Sequence, residues 1–124
     1  MRIPIVLAVS LLSFAAQADE LSTGHLLEFC TSKDEMVQTA CRFFILGAVL
    51  GVEAGDGMAL SRRKFTERTK THFCPPDNVT GKEMVQTFVS YTNAVLLKYP
   101  DDTKLPAMST LEAAMNFKYP CRQP

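Results

Sequence analysis

Tryptophan is absent from this 124-residue chain, histidine occurs only twice, and no segment alternates apolar and polar residues as a half-buried strand would. Excess charge of either sign is missing too, since 13 Lys plus Arg face 13 Asp plus Glu. A nucleic-acid binder or a polybasic membrane clamp carries more basic charge than that. No low-complexity tract or internal repeat appears, which excludes a solenoid. The patterns of hydrolytic and phosphate chemistry are absent as well: there is no HExxH pair, nucleophile elbow or phosphate loop. His25 stands alone in an early helix. His72 lies near Cys74, but a disulfide at Cys74 would consume the thiolate that a thiol–imidazole couple needs. These absences point away from an enzyme, a cofactor and a metal site, and toward a binding protein.

What is present begins with a leader. Met1 and Arg2 supply a short positive start, Ile3 through Ala16 is almost wholly apolar, and Ala16-Gln17-Ala18 places small residues where a signal peptidase cuts. Residues 1–18 therefore read as a signal peptide, and residues 19–124 as one domain large enough to bury a core. The apolar run is too short for a stop-transfer helix, and acidic Asp19-Glu20 follows it, so no membrane anchor is expected after cleavage. Losing Arg2 leaves the mature chain near neutrality. Behind this leader stand Cys30, Cys41, Cys74 and Cys121. An even cysteine count in an oxidising compartment implies two bridges and no free thiol.

The remaining pattern is helical throughout and predicts an all-α fold, a small bundle of four to five helices stapled by two disulfides. Leu21 to Cys30 reads as a short first helix. Ser32-Lys33-Asp34-Glu35 offers a capping box in which Ser32 accepts from the Glu35 amide. A long second helix should follow, with Met36, Val37, Ala40, Cys41, Phe44, Ile45, Ala48, Val49 and Val52 at three-or-four spacing and Phe43, Leu46 and Leu50 widening the stripe. This width predicts a central helix buried on most sides, ending at Gly55-Asp56-Gly57. A short third helix is expected near Ser61 to Thr69, broken by Cys74-Pro75-Pro76. Thr80-Gly81-Lys82-Glu83 is a second capping box, opening a fourth helix that stops at Pro100. Asn78-Val79-Thr80 fits a glycosylation sequon, but a helix cap explains Thr80 better. After a loop over Asp101 to Lys104, Pro106 suits the first turn of a fifth helix. Met108, Leu111, Ala114, Met115 and Phe117 form one face of it before Tyr119-Pro120-Cys121.

Four cysteines allow three connectivities, and the sequence by itself does not choose. A hairpin of the first two helices could bring Cys30 within reach of Cys41, while Cys74 and Cys121 share proline-marked helix exits. We expect Cys30 with Cys41 and Cys74 with Cys121.

Several blocks of the chain resemble the Rap/Tai family of immunity proteins, periplasmic inhibitors that protect bacteria from type VI secretion amidase effectors. A cysteine after the leader is followed by Cys41-Arg42-Phe43-Phe44-Ile45-Leu46-Gly47, matching a motif of cysteine, two residues, aromatic, aliphatic, one residue and glycine. Gly55-Asp56-Gly57 matches a glycine-acid-glycine turn. Cys74-Pro75-Pro76-Asp77-Asn78-Val79-Thr80 matches a cysteine–proline block with a valine–threonine helix start, and Tyr99-Pro100 and Tyr119-Pro120-Cys121 close the last two blocks. The resemblance spans about residues 28–121. It departs at Phe44, where a tyrosine is expected and a hydroxyl is missing, and at the glycine series Gly47, Gly51 and Gly55, which is more extended than the pattern requires. The resemblance implies a periplasmic non-enzyme that plugs the cleft of a cognate papain-like peptidoglycan amidase. It also implies the same disulfide pairing and frequent homodimers. A small helical, acid-protective periplasmic chaperone shares the leader, cysteines and bundle, and is the alternative.

Three surface features are candidates for binding. Gly47, Gly51 and Gly55 recur every four residues and let another backbone approach, either the first or fourth helix of the same chain or a homodimer partner. Arg62, Arg63 and Lys64, with Arg68, Lys70 and His72, make a basic cluster that is either a solvated face or a contact for an acidic partner. Tyr99-Pro100-Asp101-Asp102-Thr103-Lys104 presents an aromatic and two acids at a helix junction, where loops on a rigid scaffold carry binding residues.

Overall fold

A computed structural model of the chain describes residues 20–62 and 73–121. The expected leader, and Arg63, Lys64, Arg68, Lys70 and His72 of the basic cluster, lie outside them. Four α-helices are described: α1 (Thr23–Thr31), α2 (Glu35–Arg62), α3 (Gly81–Lys98) and α4 (Ala107–Lys118), with a 3-10 corner at Pro100–Lys104 between the last two. Among the described residues there is no strand, only the isolated bridge of Ser22 with Pro106. The all-α expectation holds. Within the bundle, α2 packs mainly on α1 and α3, and α4 and the 3-10 corner pack on the same two helices. α1 and α3 thus form the middle of the bundle.

Three of the four described helices start where a short polar side chain meets their orphan amides. Ser22 caps α1, its Oγ accepting from the His25 amide at 3.3 Å. Thr80 and Glu83 make the expected reciprocal box at α3: the Thr80 hydroxyl accepts from the Glu83 amide at 3.2 Å, and the Glu83 carboxylate accepts from the Thr80 amide at 2.8 Å. The cap of α2 differs from expectation. Asp34, not Ser32, serves it, with Oδ1 accepting from the Met36 amide at 2.8 Å and the Val37 amide at 3.4 Å. Ser32 instead accepts from the Asp34 amide at 3.1 Å. A carboxylate one residue before the first helical turn also meets the positive end of the helix dipole, which a neutral serine two residues earlier does not. At α4, Pro106 removes one donor and the Ala107 amide finds the Leu21 carbonyl at 2.8 Å.

α2 also runs past its expected stop, through Gly55-Asp56-Gly57 to Arg62. Among the described residues no glycine has a positive φ. Glycine permits the left-handed cap without compelling it, and Met58-Ala59-Leu60 beyond are good helix formers. Ser61 and Arg62 therefore belong to α2, and the rest of the expected third helix lies outside the described residues.

The core joins all four helices through Leu26, Ile45, Val49, Phe88, Leu111 and Met115, each no more than 2% exposed, with Phe73 buried beside them. Both disulfides pair as expected, Cys30 with Cys41 and Cys74 with Cys121, at Cα separations of 5.1 and 4.9 Å. The first closes 11 residues of chain and the second 47. On the chain-entropy model they contribute about 3 and about 4 kcal/mol. The second is reinforced by the Cys74 amide donating to the Tyr119 carbonyl at 2.8 Å.

One polar cluster ties the start of α1 to the start of α4. The Thr23 amide donates to the Leu105 carbonyl at 2.8 Å, and its buried hydroxyl donates to the same oxygen at 2.9 Å. That leaves the Thr110 hydroxyl to donate to Thr23 Oγ1, 2.8 Å away. Thr92, fully buried in α3, has a hydroxyl with no partner. The same substitution should therefore move stability in opposite directions at the two sites. Thr92→Val should raise unfolding stability by about 1 kcal/mol, and Thr23→Val should lower it by about 2 kcal/mol by stranding buried partners. Urea denaturation of the oxidised protein measures both. Serine replacement of both members of a pair should lower stability by about 4 kcal/mol for Cys74 and Cys121 and by about 3 for Cys30 and Cys41, in the same assay.

Candidate functional site

The Tyr99–Lys104 corner is built from the end of α3. Tyr99 closes that helix, its amide reaching the Val95 carbonyl at 2.9 Å, and Pro100 then turns the chain into one tight 3-10 coil. Asp102 donates its amide to the Tyr99 carbonyl and Leu105 to the Asp102 carbonyl, both at 3.1 Å. The coil's back is seated on α1, so close that a Cβ added at Gly24 would lie 3.2 Å from Thr103 Cβ and 3.3 Å from the Thr103 carbonyl oxygen. A side chain there would make the corner give by a few tenths of an ångström, so glycine favours the close approach. Thr103 and Asp102 are half-buried, while Tyr99 is 61% exposed and Asp101 and Lys104 face solvent. The Lys104–Asp101 ion pair at 3.8 Å is almost fully exposed and contributes little to stability. The corner is therefore a rigid, outward-facing mount for one aromatic ring and charged groups of both signs.

Tyr99 also belongs to a groove of about 830 Å³ along the outer side of α3 and the end of α4. Tyr91, Val95 and Phe117 form its apolar walls, and Lys98 and Lys118 stand in its lining. The Tyr91 and Phe117 rings sit 5.8 Å apart, tilted by 47°, within range of a favourable aromatic pair. Phe117 is 79% exposed rather than part of the inward face of its helix. Its neighbours Leu111, Ala114 and Met115 already fill that face, and position 117 falls beyond its edge. Sequence periodicity missed the groove because its walls come from two helices that only packing brings together. The run of aromatics at Tyr91, Tyr99, Phe117 and Tyr119 is the trace it leaves in the sequence.

α2 departs most from expectation. It is not buried on most sides: Met36 is 81% exposed, Phe43 68% and Leu50 61%, while among its described side chains only Cys41, Ile45 and Val49 are buried, on the inner stripe. A Cβ added at Gly47, Gly51 or Gly55 would meet nothing within 4 Å. Among the described residues, then, neither the first helix nor the one after Thr80 packs on the glycines. By length and composition Glu35–Gly55, with mean hydropathy 1.4, could cross a membrane. Its inner stripe, however, is the bundle core and Cys41 is bonded to Cys30, a wet-domain arrangement that the same test does not separate from a span. Arg62 is the last residue of α2, and the other basic residues of its cluster lie outside the described residues.

No catalytic arrangement is formed by His25, which is exposed and lies 3.1 Å, through Nδ1, from Ser22 Oγ at a helix cap. No group of three or more His, Cys, Asp or Glu converges as metal ligands among the described residues.

Neither the curated proteins nor the solved structures contain a significant match to this chain. The family model of the Rap1a immunity proteins does match, over residues 22–121, a span that covers all four helices, the 3-10 corner and all four cysteines. The chain therefore belongs to the Rap1a immunity protein family.

Proposed function

We propose that this protein is a periplasmic immunity protein that binds a cognate type VI secretion peptidoglycan amidase and occludes its active site, catalysing nothing itself. The leader directs it to the compartment where such an effector acts, and the two disulfides suit that compartment. Family membership supports the immunity role, and the observation that carries the occlusion reading is the braced Tyr99–Lys104 corner. A plug must enter a cleft without first losing conformational freedom, because ordering a loop on binding subtracts from affinity. Seating on Gly24 and internal hydrogen bonds hold the corner in one shape beforehand. Tyr99 offers a large, rigid anchor of the kind that dominates interface energetics. Asp101, Asp102 and Lys104 supply polar groups at the rim. Arg62, Arg63 and Lys64 give a second, basic contact zone that would speed encounter with an acidic surface. Working as a homodimer, as the resemblance implies, is part of the same reading.

The test is inhibition, by the purified mature protein, of a type VI secretion peptidoglycan amidase, taken first from any such enzyme encoded in the adjacent reading frame. Full inhibition at about one inhibitor per enzyme supports the reading. No inhibition, combined with suppression of client aggregation at acid pH, would replace it with the chaperone alternative, which the exposed Met36, Phe43, Leu97 and Phe117 favour. Tyr99→Ala should weaken inhibition by about 30-fold, and Asp101→Lys by about 10-fold, with the thermal midpoint little moved because both side chains are mostly exposed. Gly24→Val should weaken inhibition as well, but with a lowered midpoint, since it pushes the corner off α1. Titrating amidase activity against each variant, with melting curves alongside, separates contact from scaffold.

A further inference from the structure

The groove on α3 and α4 holds an alternation of rings and cations that core packing does not explain. The two helices form a hairpin about the 3-10 corner, and Phe117, near the end of α4, meets Tyr91, midway along α3. Lys98 and Tyr99 therefore lie on the corner side of this ring pair, and Lys118 and Tyr119 on the far side. From Glu83 to Lys98 the groove follows α3 for about 22 Å at 1.5 Å per residue. Its charge is unbalanced. The Glu83 carboxylate is taken up by the Thr80 amide at 2.8 Å and the Thr80 hydroxyl at 3.2 Å. Both lysines are exposed, and among the described residues neither is in an ion pair.

We infer that this groove is a binding site for an anionic glycan strand of the cell wall, a polymer of sugars that carry carboxylate-bearing peptides. The inference rests on the periplasmic part of the reading above and not on the amidase. Exposed rings on a fixed scaffold suit sugars, because the C–H groups on one face of a pyranose carry partial positive charge that the negative face of an aromatic ring attracts. Phe117 is 79% exposed and Tyr99 61%, so much of each ring is open to a ligand. Gln86 and Ser90, both exposed, and the half-buried Thr87 supply an amide and hydroxyls for sugar hydroxyl groups. Thr87 already donates to the Glu83 carbonyl at 2.8 Å, which leaves its oxygen to accept. Lys98 and Lys118 complement carboxylates through charge-assisted hydrogen bonds. A cation on each side of the ring pair matches a ligand whose negative charges recur along its length.

Other occupants fit the same lining less well. An acyl chain wants an enclosed apolar tunnel, whereas this groove is flanked by exposed side chains and ends on Gln86, Thr87 and Glu83. An amphipathic helix needs apolar anchors over two turns or more, but the apolar wall of Tyr91, Val95 and Phe117 covers about one turn of α3. A neutral glycan accounts for the rings and hydroxyls and leaves both lysines unmatched. Charge and rings together select the acidic glycan.

The test uses the full mature, oxidised protein and purified peptidoglycan sacculi. The wild type should co-sediment with sacculi saturably. Phe117→Ala, and separately the double change Lys98→Gln, Lys118→Gln, should each weaken binding by about 10-fold, with circular dichroism unchanged because all three side chains are exposed. Tyr99 is left intact because it also belongs to the corner. Phe117→Tyr keeps the ring and should keep binding, which separates a lost contact from a damaged helix. Added salt should weaken the wild type more than the lysine variant, since screening acts on charges that the variant lacks. Neutral chitin should retain the protein about 10-fold less well. In a nuclear magnetic resonance titration with the soluble muropeptides of a lysozyme digest, the amides that shift should be those of residues 86–98 and 117–119. Failure to co-sediment overturns the site, as do undiminished binding by Phe117→Ala or the lysine variant, equal retention on chitin, and shifts centred on α2. Sacculus binding without amidase inhibition would leave the groove standing and remove the immunity reading, whereas inhibition without sacculus binding would do the reverse.

Discussion

The grip on both ends of α1 is the constraint from which the rest of the structure follows. Nine residues are too few to hold a helix in water, because nucleation costs more than so short a run of hydrogen bonds returns. Yet α1 touches α2, α3, α4 and the 3-10 corner. At its C-terminal end the Cys30–Cys41 bond fastens it to α2. At its N-terminal end Thr23 fastens it to the Leu105 carbonyl and Thr110, and the Leu21 carbonyl takes the first amide of α4. Between them Leu26 is fully buried. A covalent staple at one end and a saturated polar cluster at the other let a marginal helix serve as the middle of the bundle.

The candidate plug inherits its rigidity from that arrangement. Gly24 sits one residue after Thr23, so the clamp that orders α1 also sets the surface on which Thr103 rests. The corner itself buries little, and its own ion pair is exposed to water. Its shape therefore comes from behind, from hydrogen bonds at its base and close backbone contact with α1. This division suits the proposed role: the exposed side chains of the corner carry little structural duty and are free to match a partner. The second disulfide does a parallel service at the other end of the chain, holding the segment after Phe73 against the exit of α4.

Much of this was legible in the residues. The capping box at Thr80 and Glu83 is a local interaction spanning three positions, so its recognition needs no tertiary information. Proline at 100 and 106 stops and starts helices through its own ring and missing donor. Where the local reading went astray, a competing local choice or a neighbour decided. Asp34 took the cap that Ser32 also offered, and Gly55 and Gly57 stayed helical because their freedom allows either outcome. The groove of Tyr91 and Phe117 was hidden for a different reason, since residues far apart in the chain make one surface only after α3 and α4 pack.

α2 shows most clearly where sequence ends and tertiary structure begins. Composition, caps and cysteine spacing by themselves determined an all-helical, doubly stapled domain and, through its motifs, its kinship with immunity proteins, because these depend on bonds within a turn or on covalent chemistry. A helix apolar nearly all round, however, reads as buried whatever lies beside it. Only the packing of α1 and α3 against Cys41, Ile45 and Val49 decided which stripe is the core, and so left Met36, Phe43 and Leu50 in water. Burial is a property of neighbours, and neighbours are set by the fold.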